Sequence, residues 1–298
     1  MITVFGSTNL DQVGTVSRLP KPGETVAGGT FSMAAGGKGA NQALAARRAG
    51  ADVRHVSAVG ADAFAEPALA FLKADGVDLS SLKTADAATG IAMIFVDAAG
   101  ENVIAVLPGA NGTLTAVDAE AAVAAMGRGD ILMLQQEIPQ VATERALDVA
   151  RARGITAILN TAPFLDTTPQ IAGKATILVA NETEFALLSG RSIDELDAAM
   201  AVWAQRHGQT VIVTLGPDGA KAATPDGFLH VPAMKVTPVD TVGAGDTFCG
   251  YLASGLDAGL GLEAAMRRAA VAASLACLKP GAQPAIPLAA EVEKASAA

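Results

Sequence analysis

Residues 240–250, DTVGAGDTFCG, place the carboxylate of Asp246 behind a turn of small residues, Gly243-Ala244-Gly245. An apolar run that reads as a helix, YLASGL, follows. A helix start concentrates unpaired N–H groups and the positive end of the helix dipole, so it favours anions. Two uses fit. Asp246 can cap its own helix, or it can act on a ligand while a transferred anion occupies the N–H groups beside it. The segment alone leaves both open.

Other polar groups recur at similar places along the chain. AAGGKGANQA (34–43) is a glycine-rich approach to a helix, where Gly37, Lys38, Gly39, Ala40 and Asn41 permit close contact between backbone and a polar ligand. It is not a Walker A loop, because Lys38 is followed by Gly39, and the Rossmann pattern G-x-G-x-x-G occurs nowhere. A tight helix start is the alternative. Asn9 and Asp11 stand two apart on an extended segment and share a face, an arrangement suited to sugar hydroxyls, or else to an Asx-turn. NETE (181–184) reads as a capping box of Asn181 and Glu184, which is compatible with Glu184 facing magnesium through water. TLGPDG (214–219) is either a β-turn or a backbone cradle for a nucleotide.

The elements that must position these groups follow a βα rhythm. ITVFG, VRHVSAVG, ILMLQ, ITAILN, ATILVAN and TVIVTLG read as strands. GANQALAARRAG, VATERALDVARARG and IDELDAAMAVWAQRHG carry apolar residues at helical spacing. The fold class is α/β, a mainly parallel central sheet with helices on both faces. Residues 11–35 and 89–107 break the rhythm with short β-like pieces, the second a hairpin turned at DAAGEN, and read as a small β lid on a single domain. Ligands of open α/β sheets bind outside the carboxyl ends of the strands. Asn9, Asp11, Gln136, Glu137, Asn160, Asn181, Glu184 and Thr214 through Gly219 all fall there, suited together to hydroxyls, phosphates and a hard cation.

Composition narrows the class. A net charge of -9 disfavours nucleic acid and anionic membrane as partners. Two cysteines without a CxxC exclude a disulfide framework, and His55, His207 and His230 are scattered, as packing or surface residues would be. The N-terminus lacks a signal-peptide pattern and the apolar stretches are too short to span a bilayer, so the expectation is a soluble cytoplasmic protein.

GGKGANQA and DTVGAGDTFCG resemble the two signatures of the ribokinase-like (PfkB) sugar kinases, within them the ribokinase branch, and NETE, TLGPDG and KPGAQPA follow in the expected order. The resemblance covers nearly the whole chain. It implies a three-layer fold and transfer of the γ-phosphoryl of MgATP to the 5-hydroxyl of D-ribose, with Asp246 as catalytic base and Gly243, Ala244 and Gly245 as the anion hole. Asn9, Asp11, Gly37, Lys38, Gly39, Ala40, Asn41 and Glu137 match sugar-side positions. Asn181 and Thr214, Leu215, Gly216, Pro217, Asp218 and Gly219, with Gly245, match the ATP side, and Glu184 the magnesium-associated glutamate. Asp240, Val242, Ala276, Lys279, Gly281 and Ala285 match a potassium loop, where Ala285 replaces the usual serine. A homodimer joined through the lids is implied as well. Another small sugar, a nucleoside, or a catalytically silent sugar-binding regulator stands as the alternative.

Overall fold

The computed structural model describes residues 1–297. In chain order the first strands are β1 (Ile2–Phe5), β2 (Asn9–Val16), β3 (Gly28–Gly36), β4 (Val53–Val56), β5 (Ala58–Gly60), β6 (Lys83–Ala85), β7 (Gly90–Val96) and β8 (Asn102–Leu107). There follow β9 (Ile131–Leu134), β10 (Thr156–Asn160), β11 (Ile177–Asn181), β12 (Thr210–Thr214), β13 (Ala220–Thr224) and β14 (Gly227–Val231). The helices are α1 (Lys38–Arg48), α2 (Ala65–Ala74), α3 (Ala116–Ala124), α4 (Gln140–Arg153) and α5 (Thr168–Ala172). The rest are α6 (Glu182–Ser189), α7 (Leu196–His207), α8 (Ala244–Asp257), α9 (Leu262–Ala276) and α10 (Ala289–Ser296).

The central sheet has the order β14-β13-β12-β11-β10-β9-β1-β4. It is parallel from β4 to β12, and β13 and β14 add an antiparallel edge. Its strands read as unbroken apolar runs because both faces are covered. Alternation then sorts each run between two cores. Ile2 and Val4 of β1, Ile131 and Met133 of β9, and Ile177 and Val179 of β11 join one core with α1, α2, α8, α9 and α10. Phe5, Leu132, Leu134, Leu178 and Ala180 face the other, built with α3 through α7. The three-layer α/β architecture expected from the βα rhythm is the one observed.

Two local expectations differ. VRHVSAVG is not one strand: β4 ends at Val56, and β5 leaves the central sheet to pair in parallel with β6. Between them, Ser57 is drawn into a buried cluster, its hydroxyl 2.9 Å from that of Thr8. The antiparallel edge was not foreseen either, since AKAAT of β13 has the alanine-rich composition of a helix rather than a strand.

A second sheet of order β3-β2-β7-β8 carries the two irregular segments, beginning at Asn9 and Gly90 where they pair. Several large apolar side chains on it face outward, among them Phe31 (65% exposed) and Ile104 (53%). β3 runs directly into α1 through Gly37, whose φ of 89° suits glycine. α1 itself is fixed at both ends of its length by glycine contacts. A Cβ on Gly39 would lie 2.5 Å from the Ser7 nitrogen, beyond β1, and one on Gly250 of α8 would lie 2.5 Å from Ala45 Cβ and 2.7 Å from the Ala46 nitrogen. Among the described residues no helix is long and apolar enough to cross a membrane.

Candidate active site

Asp246 lies within the first turn of α8, behind an N-cap, Gly243, whose φ is 77°. Its side chain does not cap that helix. It points instead across to α1, where Oδ2 accepts from Asn41 Nδ2 and Oδ1 from Gln42 Nε2, each at 2.9 Å. Gln42 Nε2 also donates to Asn160 Oδ1 at 3.2 Å, while Gln42 Oε1 accepts from Gln135 Nε2 at 2.7 Å. The carboxylate is only 7% exposed, so these amide donors and the positive end of α8 replace the water it has lost. The capping alternative is therefore set aside for Asp246.

The two glycine-rich helix starts differ in what their N–H groups do. At α1 they are consumed: Lys38 N donates to Glu137 Oε2 at 2.9 Å, Gly39 N to Ser7 Oγ at 3.3 Å and Ala40 N to the Ser7 carbonyl at 2.9 Å. Glu137 Oε2 also accepts from Ser7 Oγ at 2.6 Å. At α8, no described residue accepts from the N–H groups of Gly245 and Asp246. The start of α8 is thus open to an anion, and that of α1 is closed.

Asp11, Glu137 and Asp246 bring three carboxylates near one ammonium, Lys38. Burial, then the Glu137 and Asp246 charges, push the Asp11 carboxyl up to about 7, against the pull of Lys38. Burial alone would lower the Lys38 pKa, but Asp246, Glu137 and Glu184 outweigh it and hold the ammonium above its ordinary value. Gly36 makes this packing possible, because a Cβ there would lie 2.6 Å from Asp11 Cγ. A Cβ on Gly37 would come 2.8 Å from the Asn9 nitrogen.

On the other side of Asp246 a cavity of about 170 Å³ is lined by Lys38, Asn181, Glu184, Thr214, Gly245 and Cys249, among others. Lys38, matched to the sugar side, thus also faces this cavity. Thr214 and Gly245 are shared with a larger, mainly apolar cavity of about 410 Å³, lined by Gly216, Pro217, Gly219, Val236, Phe248 and Ala273. Leu215 and Asp218 shape the intervening turn instead: Leu215 packs on the second core, and the Asp218 carbonyl lies 3.0 Å from His230 Nε2. Asn181 and Glu184 form the expected reciprocal cap, with Glu184 N donating to Asn181 Oδ1 at 2.8 Å and Asn181 N to Glu184 Oε2 at 3.1 Å. The same oxygen accepts from Thr161 Oγ1 at 2.8 Å.

The segment leading into α8 is tied to the turn after α9. Asp240 Oδ1 accepts from Val242 N at 3.0 Å and Oδ2 from Gly281 N at 2.8 Å. The Cys277 carbonyl accepts from Val239 N at 2.8 Å and from Asp240 N at 3.3 Å. Ala276 and Ala285 are buried, and the Lys279 ammonium turns outward to Glu291 at 3.3 Å. His55 is buried against Thr8 and the Val4 carbonyl, and its burial lowers its pKa to about 4, so it is neutral.

Ser7, Gln42, Gln135 and Thr161 were not singled out from sequence, nor was the apolar lining contributed by Val236, Phe248 and Ala273. Glutamines on a helix and at a strand end look like surface residues until the fold buries them, and apolar lining carries no chemical mark.

Asp11 gives a test of this electrostatic arrangement. Between 3.8 and about 7 the folded chain holds the Asp11 proton that the unfolded chain has lost, so stability falls as pH rises through that window. Asp11→Asn removes this dependence. Thermal unfolding should show the Tm of the variant gaining on wild type from about pH 4 to about pH 8, and a pH-independent difference would contradict it.

A family profile described as pfkB family carbohydrate kinase matches residues 1–289. The bifunctional ribokinase/ribose-5-phosphate isomerase A of Fructilactobacillus sanfranciscensis is 39% identical over 96% of this chain, which spans 54% of that longer relative. The ribokinase of Staphylococcus aureus is 38% identical, with 98% of both chains covered. The structure of Arabidopsis thaliana ribokinase complexed with ribose and ATP superposes with a TM-score of 0.88 at 30% identity, covering 99% of this chain and 97% of that one. A match from the first strand to the last helix, over a carboxylate set beside an open helix start, makes the chain a member of the pfkB family of carbohydrate kinases.

Proposed function

We propose that this protein transfers the γ-phosphoryl group of MgATP to the 5-hydroxyl of D-ribose. The observation that carries the reading is the placement of Asp246. Its carboxylate is held by Asn41 and Gln42 at the edge of a cavity, beside two N–H groups free to receive an anion. The similarity to ribokinases favours ribose as the acceptor.

In this reading ribose lies between the second sheet, acting as a lid, and the start of α1. Asn9, Asp11, Gly37, Lys38, Asn41 and Glu137 surround it, whereas Gly39 and Ala40, also matched to the sugar side, are buried against Ser7 and support the start of α1 from beneath. ATP lies along Asn181 and Thr214 through Gly219, its base in the apolar cavity and its phosphates in the smaller one. Asp246 takes the proton of the attacking hydroxyl. The free N–H groups of Gly245 and Asp246 then receive the negative charge of the transferred group, which is where phosphoryl transfer needs help. The Ala244 N–H, matched to the same anion hole, donates instead to the Thr241 carbonyl at 3.3 Å. Lys38 faces the same cavity and adds positive charge.

The residues present fit a magnesium ion that keeps most of its waters: Glu184 lines the cavity, already oriented by Thr161 and Asn181, with Asp246 as the other carboxylate there. When bound, the ion supplies neutralisation of phosphate charge. The resemblance supports a potassium site at the loop that Asp240 ties together through Val242 N and Gly281 N, where backbone carbonyls from there and from Ala276, Lys279 and Ala285 would hold the ion.

Ribose-dependent ADP release across a panel of ribose, 2-deoxyribose, fructose and nucleosides tests the activity, and turnover of another substrate with ribose inert would discard the ribose assignment. In the same assay Asp246→Asn should lower kcat roughly 10²–10⁴-fold while ribose binding changes far less. Near-normal turnover would remove Asp246 from the chemistry.

Potassium chloride added at constant ionic strength to a potassium-free assay should raise the rate, and less so than a serine at Ala285 would allow. Equal rates would reduce the loop to a turn.

The outward apolar face of the second sheet fits a second copy of this chain, because exposed apolar sheets and edges invite pairing. Light scattering should give a dimer at micromolar concentration, and a monomer would refute this assembly.

A further inference from the structure

Asn111 occupies a short 3-10 turn, Gly109–Thr113, on the chain returning from β8, and its side chain is buried. Two backbone groups of a single residue set its orientation. Its Oδ1 accepts from the Thr8 N–H at 2.9 Å, and its Nδ2 donates to the Thr8 carbonyl at 3.1 Å. A backbone N–H and a carbonyl cannot exchange roles, so the Asn111 amide has one orientation only. Its second N–H then donates to Asn9 Oδ1 at 2.8 Å.

The consequence falls on Asn9. Its carbonyl oxygen is taken, which leaves its NH₂ as the end available to a ligand. Among the described residues nothing accepts from that NH₂, yet it is not one of the side-chain atoms sealed from solvent without a partner. The surroundings keep the pair in place. Gly90, opposite Asn9 in the β2–β7 ladder, has no room for a side chain, because a Cβ there would overlap both amides. Thr8 is braced on its other side by His55 Nε2 and Ser57 Oγ, each 2.9 Å from its hydroxyl.

We propose that Asn111 is a positioning residue for the sugar: it turns Asn9 so that the site offers N–H donors there, not a carbonyl. This rests on the sugar-kinase reading. Asn9 shares a face of β2 with Asp11; Glu137 accepts from Ser7 Oγ and Lys38 N, and Asp11 too only accepts once its carboxyl has lost its proton. A sugar hydroxyl both donates and accepts, so a donor at Asn9 supplies what the carboxylates lack. Asn111 touches neither substrate nor reacting atoms; it acts through Asn9.

Asn111→Asp separates this role from a structural one. The new carboxylate still accepts from the Thr8 N–H but cannot donate to Asn9, and it attracts the Asn9 NH₂, reversing that amide. The KM for ribose should rise roughly tenfold, while kcat and the KM for ATP move less than about twofold. In an Asn9→Ala background the same substitution should leave the ribose KM where Asn9→Ala put it, since the group it acts through is gone. Equal losses in both backgrounds, or parallel losses in kcat and both KM values, overturn the proposal. If Asn111→Asp does not fold, Asn9→Asp keeps the contact with Asn111 and replaces only the donor presented to the sugar. It should raise the ribose KM while the KM for ATP stays within about twofold, and an unmoved ribose KM overturns the proposal. A wild-type protein that turns over no sugar defeats the kinase reading and this inference together, whereas normal ribose turnover with unmoved KM values in the variants defeats this inference alone.

Discussion

The site depends on the close crossing of α1 and α8 at Gly250. With no side chain there, α8 approaches until Gly250 sits against the backbone of α1 at Gln42 and Ala46. The same approach brings the amides of Asn41 and Gln42 within 2.9 Å of Asp246, one turn earlier on α8. A methyl group at Gly250 would push the helices apart, and close-packed interiors absorb such a shift poorly. Loss of a few tenths of an ångström in those two hydrogen bonds would release a buried carboxylate whose direction matters. At the other end of the segment, Gly39 holds the start of α1 against the residue that follows Phe5 of β1. The glycines of the first signature therefore serve close packing more than flexibility.

That packing also decides which helix start can meet an anion. Both α1 and α8 begin with a positive-φ glycine and small residues, and from sequence each is a candidate. Glu137 and Ser7 take up the N–H groups of α1, which turns its positive end toward an internal carboxylate. Only α8 keeps free donors. A chain with a net charge of -9 thus keeps one place open to an anion, where Lys38 and the free N–H groups of α8 border the same cavity. The raised pKa of Asp11 reflects its burial first and then the charges of Glu137 and Asp246 beside it.

Sequence carried the fold furthest where both faces of a strand are buried, because apolar runs such as ILML and ILVAN admit few other readings. It failed where tertiary contacts override local pattern: VRHVSAVG looks continuous, yet Ser57 is pulled toward Thr8 and the strand divides. Asp246, Glu184, Asn181 and the 214–219 turn, which the fold brings to adjoining cavities, were legible as candidates because charged groups and glycines at helix and strand ends stand out from an apolar pattern. Gln42, Gln135 and Ser7 were not, since their importance lies in what they orient. Asn111 was hidden in the same way: an asparagine in a PGAN turn has an ordinary local explanation, and only its contact with Thr8 and Asn9 distinguishes it.

The separation of the two sides follows from the same geometry. Asp246 extends from α8 between the start of α1, with Asp11 and Glu137 near it, and the cavity of Asn181 and Glu184. Groups that suit hydroxyls lie on one side of it, and the apolar chamber begins on the other through Thr214 and Gly245. In the proposed reading, acceptor and donor meet beside Asp246 and the free N–H groups of α8. In-line transfer needs the reacting oxygens aligned and the charge between them neutralised. Under that proposal both requirements fall to one helix start, that of α8, and depend on α1 holding the Asp246 carboxylate still.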